Sequence, residues 1–418
     1  MRIACIGTGF VGVVTAAVFA KLGNQVVGLD IDAEKIRTLQ AGTVPFFEPG
    51  LTELLVSTQK TGNLTFTTSY VDAVKTAEII FIMVGTPTDE RGQADLQYVH
   101  SAADSLAPHL QEGSIVVIKS TVPPGTNAKV HAIIRAKTTV DFEIASVPEF
   151  LKEGSAVEDT LHPDRIVLGV ETDHARKLLT ELHAPLTTNV IVMKSESAQM
   201  CKYASNCYLA TRITFINQIA DLCEPSGADI EEVIRGIGED KRIGTHYWYP
   251  GMGYGGSCFS KDVKEISAYA KSVGETDSLF IAIDDCNEKR IPKLMHHYDQ
   301  IVGGFSGKTV VVLGLSFKPN TNDTRVAPAL AVIPWLKSHG AIVRTVDPLL
   351  PADFQDPTLA AEGAHVLMLL VEWAQFKNLN FTKLAAVMQS PKYLLDTRNQ
   401  YDPIQVTAAG LQYKGIGR

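Results

Sequence analysis

Residues 2–12 read RIACIGTGFVG, and residues 25–30 read QVVGLD. The first stretch opens as a short apolar strand, Arg2–Ile6. Gly7, Gly9 and Gly12 follow with G-x-G-x-x-G spacing, and a helical pattern runs on to Leu22. The second stretch is another strand, and it closes on Asp30, 18 residues after Gly12. The glycine spacing alone is a weak signal. Set between a strand and a helix, with an acid ending the next strand, it predicts a dinucleotide-binding turn. Bare backbone at the glycines lets a pyrophosphate approach, and the helix N-terminus stabilises its charge. Asp30 would bond a ribose 2′-hydroxyl and repel a 2′-phosphate, which favours NAD over NADP. The bland alternative is a tight turn beside a solvent-exposed aspartate.

Outward from this turn, strand-length apolar runs recur at 79–84, 115–118, 144–147 and 166–170. Strands alternating with helical patterns imply βαβ units and a mostly parallel sheet, placed at about residues 1–195. From 197 to 223 the pattern becomes one long helix, punctuated by Pro225 and Gly227. Helical patterns continue at 230–237, 260–273 and 278–298, the last interrupted by Pro292. Residues 196–300 therefore read as a helical connector, a common location for a subunit interface. A second, smaller α/β domain at 301–418 is predicted from strands at 309–313, 341–346, 365–371 and 392–396. It lacks the glycine turn, so it has a Rossmann-like outline without dinucleotide chemistry.

The 418 residues carry 38 Lys and Arg against 46 Asp and Glu, a net charge of −8. That argues against a general nucleic-acid binder, which would carry a basic face. No apolar run reaches the roughly 18 residues that suggest a spanning helix, and no leader peptide is visible. The six cysteines are scattered without C-x-x-C spacing. They suggest a reducing cytoplasm, one reactive thiol at most, and no metal site.

Residues 249–263 read YPGMGYGGSCFSKDV. Glycines 251, 253, 255 and 256 precede Cys258, and a helical pattern follows. A thiol at a helix N-terminus, with Lys261 nearby, favours the thiolate. The alternative is a buried small hydrophobe, the usual state of a free cysteine. Asp262 could be a simple partner of the helix dipole. Lys202 and Asn206 are four residues apart on one helix face, which could line a cleft or form a solvated stripe. The loops GTPT (85–88), STVPPG (120–125) and PEFLKEG (148–154) follow strand ends, where doubly wound sheets bind ligands. Each could equally be an ordinary strand-to-helix loop. Lys318, Arg325 and Arg398 sit near strand ends of the last domain and suit phosphates, although isolated charges are more often surface residues.

Taken in order, GTGFVG, GTPT, STVPPGT, PEFLKEGSAVEDTLHPDRIVLG, KYASNCYLATRITFINQIADLC, RIG, GMGYGGSCFSKD, GLSFKPNTNDTR and DTRNQYDP resemble the nucleotide-sugar dehydrogenase family over nearly the whole chain. PEFLKEGSA, GGSCFSKD and FKPNTNDTR are the specific segments. TLHPDRIVLG and GYGGSCF look most like the branch that oxidises UDP-glucose, and the GGHC-type loop of the N-acetyl branch is absent. The resemblance implies an N-terminal Rossmann-like NAD domain, a central helical dimerisation region, and a C-terminal Rossmann-like domain for the nucleotide sugar. It implies Cys258 as nucleophile, with Lys202, Asn206, Asp262, Thr121 and Glu149 as its partners in the chemistry. NAD contacts are implied for Gly7, Gly9, Phe10, Val11, Gly12, Asp30, Lys35, Thr86, Thr121, Glu153, Lys261 and Arg325. Substrate contacts are implied for Glu149, Phe150, Leu151, Lys202, Asn206, Tyr247, Gly255, Lys318 and Arg398, with Arg242 reaching in from the second subunit of a homodimer. Ser260 stands where the family commonly has proline, and Thr397 where a glycine is usual.

The implied activity is a four-electron oxidation of UDP-glucose to UDP-glucuronate by two hydride transfers to NAD, through a cysteine thiohemiacetal and thioester. The alternatives are another nucleotide sugar such as GDP-mannose, a single-hydride 3-hydroxyacid-type dehydrogenase, or a non-catalytic dinucleotide sensor.

Overall fold

In the computed structural model, which describes residues 1–418, the chain divides into two compact units. One comprises Met1–Ser205 with Lys264–Thr276, the other Asn206–Val263 with Asp277–Arg418.

The first unit is built on an eight-stranded sheet. Its strands are β1 (Arg2–Ile6), β2 (Gln25–Leu29), β3 (Leu64–Thr67), β4 (Ile79–Ile82), β5 (Ser114–Ile118), β6 (Phe142–Ser146), β7 (Ile166–Gly169) and β8 (Val190–Met193). They lie in the order 3-2-1-4-5-6-7-8. The first six strands are parallel, and β7 meets β6 antiparallel through Ser146 and Gly169. β4 and β5 are buried at every position, as expected for central strands covered on both faces. The helix Phe10–Lys21 is apolar nearly all round and buried from Gly12 to Ala20, so it is enclosed by its neighbours. The order reverses between β1 and β4, and ligands of such sheets bind outside the strand ends at that point.

The second unit carries a five-stranded parallel sheet. Its strands are β9 (Thr309–Leu313), β10 (Ile342–Val346), β11 (Val366–Leu369), β12 (Tyr393–Asp396) and β13 (Gln412–Lys414). The order 10-9-11-12-13 puts its own reversal between β9 and β11. One apolar core joins this sheet to the helices of the unit, with Ile216, Ala220, Met295 and Tyr298 packed among strand residues such as Val311 and Leu367.

Two expectations about the helices are corrected. The helix Leu279–Ile301 runs straight through Pro292. Proline removes one backbone donor, but Arg290 on one side and Leu294, Met295 and Tyr298 on the other are all buried, so packing holds both halves in one helix. The long helix spans Ser195–Ser226 and takes Pro225 into its last turn. Strands β3, β8 and β13 were not expected from the sequence.

Candidate active site

The glycine turn follows β1 as the spacing requires. Gly7 has φ +96°, and a Cβ there would lie 2.7 Å from the Met83 carbonyl oxygen, at the end of β4. A Cβ on Gly12 would fall 1.9 Å from the Gly7 carbonyl oxygen, so only glycine lets the helix start this close to the turn. A Cβ on Gly9 would meet nothing within 4 Å. That open ground above the first helical N–H groups is what a pyrophosphate needs, and the turn therefore fits a dinucleotide.

Asp30 closes the same site. Its Oδ2 accepts from the Thr8 amide, the Thr8 hydroxyl and the Lys35 ammonium, each at 2.9 Å, and Oδ1 accepts from the Asp32 amide at 3.1 Å. Burial by itself would push this carboxyl upward. The bonds from Lys35, Thr8 and Asp32 outweigh it and hold Asp30 below its ordinary value. Thr8, 1% exposed, is thus a residue that fixes Asp30, at a place the motif leaves as x.

The loops after β4 and β5 are stitched together. The Thr86 hydroxyl donates to the Thr121 carbonyl at 2.9 Å, and the Ser120 hydroxyl to the Val84 carbonyl at 2.6 Å. In the PEFLKEG loop, Glu149 accepts from the Lys202 ammonium at Oε1 (2.8 Å) and from the Leu151 amide at Oε2 (2.8 Å). Lys202 also donates to the Glu149 carbonyl at 2.7 Å, and its side chain is only 4% exposed. A buried ammonium is thus fixed by a carboxylate and a carbonyl, which sets its position and keeps its charge compensated. The Arg165 guanidinium lies over the Phe150 ring at 3.8 Å.

In the second unit, Cys258 is exposed in the first turn of the helix Ser257–Ser272. Four residues on, Asp262 is 1% exposed. Its Oδ2 accepts from Asn206 Nδ2 at 2.6 Å, and its Oδ1 pairs with Lys261 Nζ at 2.7 Å. Lys202 and Asn206 lie one turn apart on the helix Ser195–Ser226, at the point where the two units divide. Burial pushes both Cys5 and Cys207 up to about 12, and for Cys207 the nearby Asp262 adds to it.

The glycines before Cys258 each admit a neighbour. A Cβ on Gly251 would stand 3.0 Å from the Thr397 carbonyl, on Gly255 2.5 Å from the Val326 carbonyl, and on Gly256 2.7 Å from the Phe317 ring. The cysteine loop therefore packs on the segments that carry Lys318, Arg325 and Arg398, beside the ends of β9 and β12. Arg398 is anchored by Leu370 O at 2.9 Å and by Glu372 at 3.0 Å. Arg325 is held by Asp323 at 2.6 Å, and the Lys318 ammonium sits 5.4 Å from the centre of the Phe317 ring. Thr397 is fully buried, and its hydroxyl donates to Leu369 O at 2.6 Å, which explains how a side chain is accommodated there. The Ser260 hydroxyl is buried without a partner.

The sites expected from the sequence thus fall into two groups. Gly7, Gly9, Phe10, Val11, Gly12, Asp30, Lys35, Thr86, Thr121, Glu149, Phe150, Leu151, Glu153 and Lys202 belong to the first unit. Asn206, Arg242, Tyr247, Gly255, Cys258, Lys261, Asp262, Lys318, Arg325 and Arg398 belong to the second. Arg242 stands out in solvent, 88% exposed and bonded to Asp240. Tyr247 takes a left-handed φ of 63°, with its ring 5.5 Å from that of Tyr249.

Sequence reasoning missed the residues that hold the cysteine loop. Asn217 Oδ1 accepts from the Gly251 amide at 2.7 Å, Asn287 bonds both the amide and the carbonyl of Tyr254, and Arg290 Nε donates to the Gly251 carbonyl at 2.9 Å. One signal was present: Asn217 lies eleven residues after Asn206, three turns along the same helix face.

A glycine turn at the reversal of a doubly wound sheet, with an acid at the end of the next strand, defines a dinucleotide-binding protein. Residues 1–187 match the NAD binding domain of the UDP-glucose/GDP-mannose dehydrogenase family, residues 196–289 its central domain, and residues 311–403 its UDP binding domain. The chain belongs to that family, and NAD is the cofactor of its first domain. It is 42% identical over 443 residues to the UDP-glucose 6-dehydrogenase of Pseudomonas aeruginosa, covering 100% of this chain and 98% of that protein. It is 41% identical over 430 residues to the UDP-glucose 6-dehydrogenase TuaD of Bacillus subtilis, covering 100% and 93%. A UDP-glucose dehydrogenase structure from Pyrobaculum islandicum superposes with a TM-score of 0.91 at 35% identity, over 99% of this chain and 97% of that one. No helix is long and apolar enough to cross a membrane.

Proposed function

We propose that the chain oxidises UDP-glucose to UDP-glucuronate with consumption of two NAD. The observation that carries this reading is Cys258: an exposed thiol at a helix start, on a glycine loop, beside the buried Asn206–Asp262 pair. Turning a primary alcohol into a carboxylate removes four electrons. NAD supplies the two-electron hydride acceptor, so two molecules are used for each sugar.

Loss of the first hydride and a proton turns C6 of the sugar into an aldehyde. The Cys258 sulfur then adds to that carbon, and the carbonyl oxygen becomes the hydroxyl of a thiohemiacetal. Loss of a second hydride and another proton gives a thioester on Cys258. Water attacks the thioester, the C–S bond breaks, and the carboxylate leaves with the thiol restored. In this scheme Lys202 stabilises the oxyanions and Asn206 donates a hydrogen bond to them. Asp262 and Glu149 position or deprotonate water, with Thr121 close to the reacting carbon. Glu153, Lys261 and Arg325 serve the NAD side. Phe150, Leu151, Tyr247, Gly255, Lys318 and Arg398 hold the nucleotide sugar.

The working division is an NAD domain at 1–195, a helical region with the cysteine loop at 196–300, and a UDP-sugar domain at 301–418. The six free thiols suit a reducing cytoplasm. A homodimer is supported by Tyr208, Phe215 and Leu222, which are 59%, 48% and 65% exposed and recur seven residues apart on the long helix. Arg242 would serve the partner's sugar. Single-turnover quenching followed by mass analysis tests the chemistry. A UDP-glucuronyl mass on the Cys258 peptide is expected, and its absence under conditions of full turnover would sink the covalent route.

A further inference from the structure

Glu48 is 5% exposed and lies in the segment VPFFEPG, residues 44–50, which has no regular secondary structure. Its Oε2 accepts from the Gly154 amide at 2.6 Å, and its Oε1 from the Ala156 amide at 2.7 Å. These contacts join residues more than 100 positions apart. Two positions earlier, the Phe46 ring packs against Phe10 of the glycine turn at 5.0 Å. The segment thus touches the dinucleotide turn at one point and the end of the PEFLKEG loop at another. The other end of that loop has separate anchors, since Glu149 is held by Lys202 and by the Leu151 amide.

We propose that residues 46–48 are a strap that sets the Glu153 end of the acid loop against the dinucleotide turn, with Glu48 as a positioning residue for NAD. The proposal rests on the reading above for the role of Glu153. The physical basis is the carboxylate itself. Two oxygens on one rigid plane answer two amides spaced one residue apart across Ser155, and both bonds are short and charge-assisted. A glutamine of the same shape offers one oxygen and turns an NH₂ against the other amide. Gly154, with φ +82°, marks the bend that these bonds hold.

The test is Glu48→Gln, Phe46→Ala and the double variant in the full-length enzyme. NADH affinity is read by fluorescence, UDP-glucose affinity by calorimetry, and turnover at saturation. Loss of one charge-assisted bond predicts NADH binding weakened by about 10- to 100-fold in E48Q. UDP-glucose affinity should stay within about twofold, because the Glu149 end keeps its own bonds. If the strap acts as a unit, the double variant binds NADH no worse than the weaker single variant. Unchanged NADH affinity in folded E48Q would overturn the proposal, as would equal losses for both ligands or effects of the two substitutions that simply multiply. Should E48Q not fold, Phe46→Leu carries the same test from the other contact. Two NADH per UDP-glucose from the unaltered enzyme checks the underlying reading separately, so the two failures are distinguishable.

Discussion

Gly256→Ala tests whether the glycine loop holds Cys258 in place. Gly256 has φ +78° and precedes Cys258 by two residues. A left-handed conformation costs a non-glycine residue about 1–2 kcal/mol. The added Cβ would also sit 2.7 Å from the Phe317 ring, so the ring or the loop must move. Overpacking of that kind costs typically about 1–3 kcal/mol. The two together are about 2–5 kcal/mol against the native loop, and each 1.4 kcal/mol is roughly tenfold. We expect kcat/KM for UDP-glucose to fall at least about 30-fold, with modification of Cys258 by a disulfide reagent altered in parallel. Phe317→Leu in the same chain removes the steric part but not the backbone part, so it should recover about tenfold and leave a residual defect. A double-mutant cycle with Phe317→Leu alone isolates the coupling. Wild-type kinetics in G256A, or a cycle with no coupling, would refute the argument.

Other substitutions probe separate features. Ser260→Pro removes a buried hydroxyl without a partner in the first turn of the helix Ser257–Ser272, the part of a helix that best tolerates proline. Thermal denaturation should show a gain of roughly 0.4–1 kcal/mol, and a clear drop in Tm would contradict this. Thr8→Val removes one of the bonds that hold Asp30, so the KM for NAD should rise about tenfold with that for UDP-glucose unchanged; steady-state kinetics with each substrate varied in turn decides it. Lys119 is driven down by burial to about 8, with Glu149 pulling it up and Lys202 adding repulsion. Below that pH it is protonated in both the folded and the unfolded chain, and the cost of burying the charge is fully present. Above it, the folded form sheds its proton first, and the cost fades toward pH 10.5. Lys119→Met should therefore stabilise the protein at pH 7 by on the order of 1–3 kcal/mol, with the difference shrinking as pH rises; a difference that grows with pH would show the sign to be wrong.

The parts of the fold that the sequence displays are those whose residues share one environment. β4, β5, β9 and β11 are buried along their whole length, so they read as unbroken apolar runs. β3 and β13 are short and partly exposed, and LTFT and QYK carry no such run; β8 is an apolar run, VIVM, but it lies at the sheet edge with its two central residues exposed, so its pattern does not match its environment. Pro292 misleads for a different reason: the local break is real, but contacts on both sides override it. The site divides in the same way. Gly7, Gly9, Gly12, Asp30 and Cys258 stand out because their chemistry depends on local spacing. Thr8, Glu48, Asn217, Asn287 and Arg290 work through partners tens of residues away, and only the fold brings each pair together. The ion pair Lys202–Glu149 and the hydrogen bond Asn206–Asp262 are intermediate. The helix spacing of Lys202 and Asn206 is visible in the sequence, but which carboxylate answers each is not.

The most direct measurement is the NADH yield with UDP-glucose limiting and NAD in excess, run side by side on the unaltered enzyme and on Cys258→Ser. The account predicts two NADH per sugar for the unaltered enzyme, and no second equivalent from the variant. One NADH from the unaltered enzyme, or two from Cys258→Ser, would contradict it.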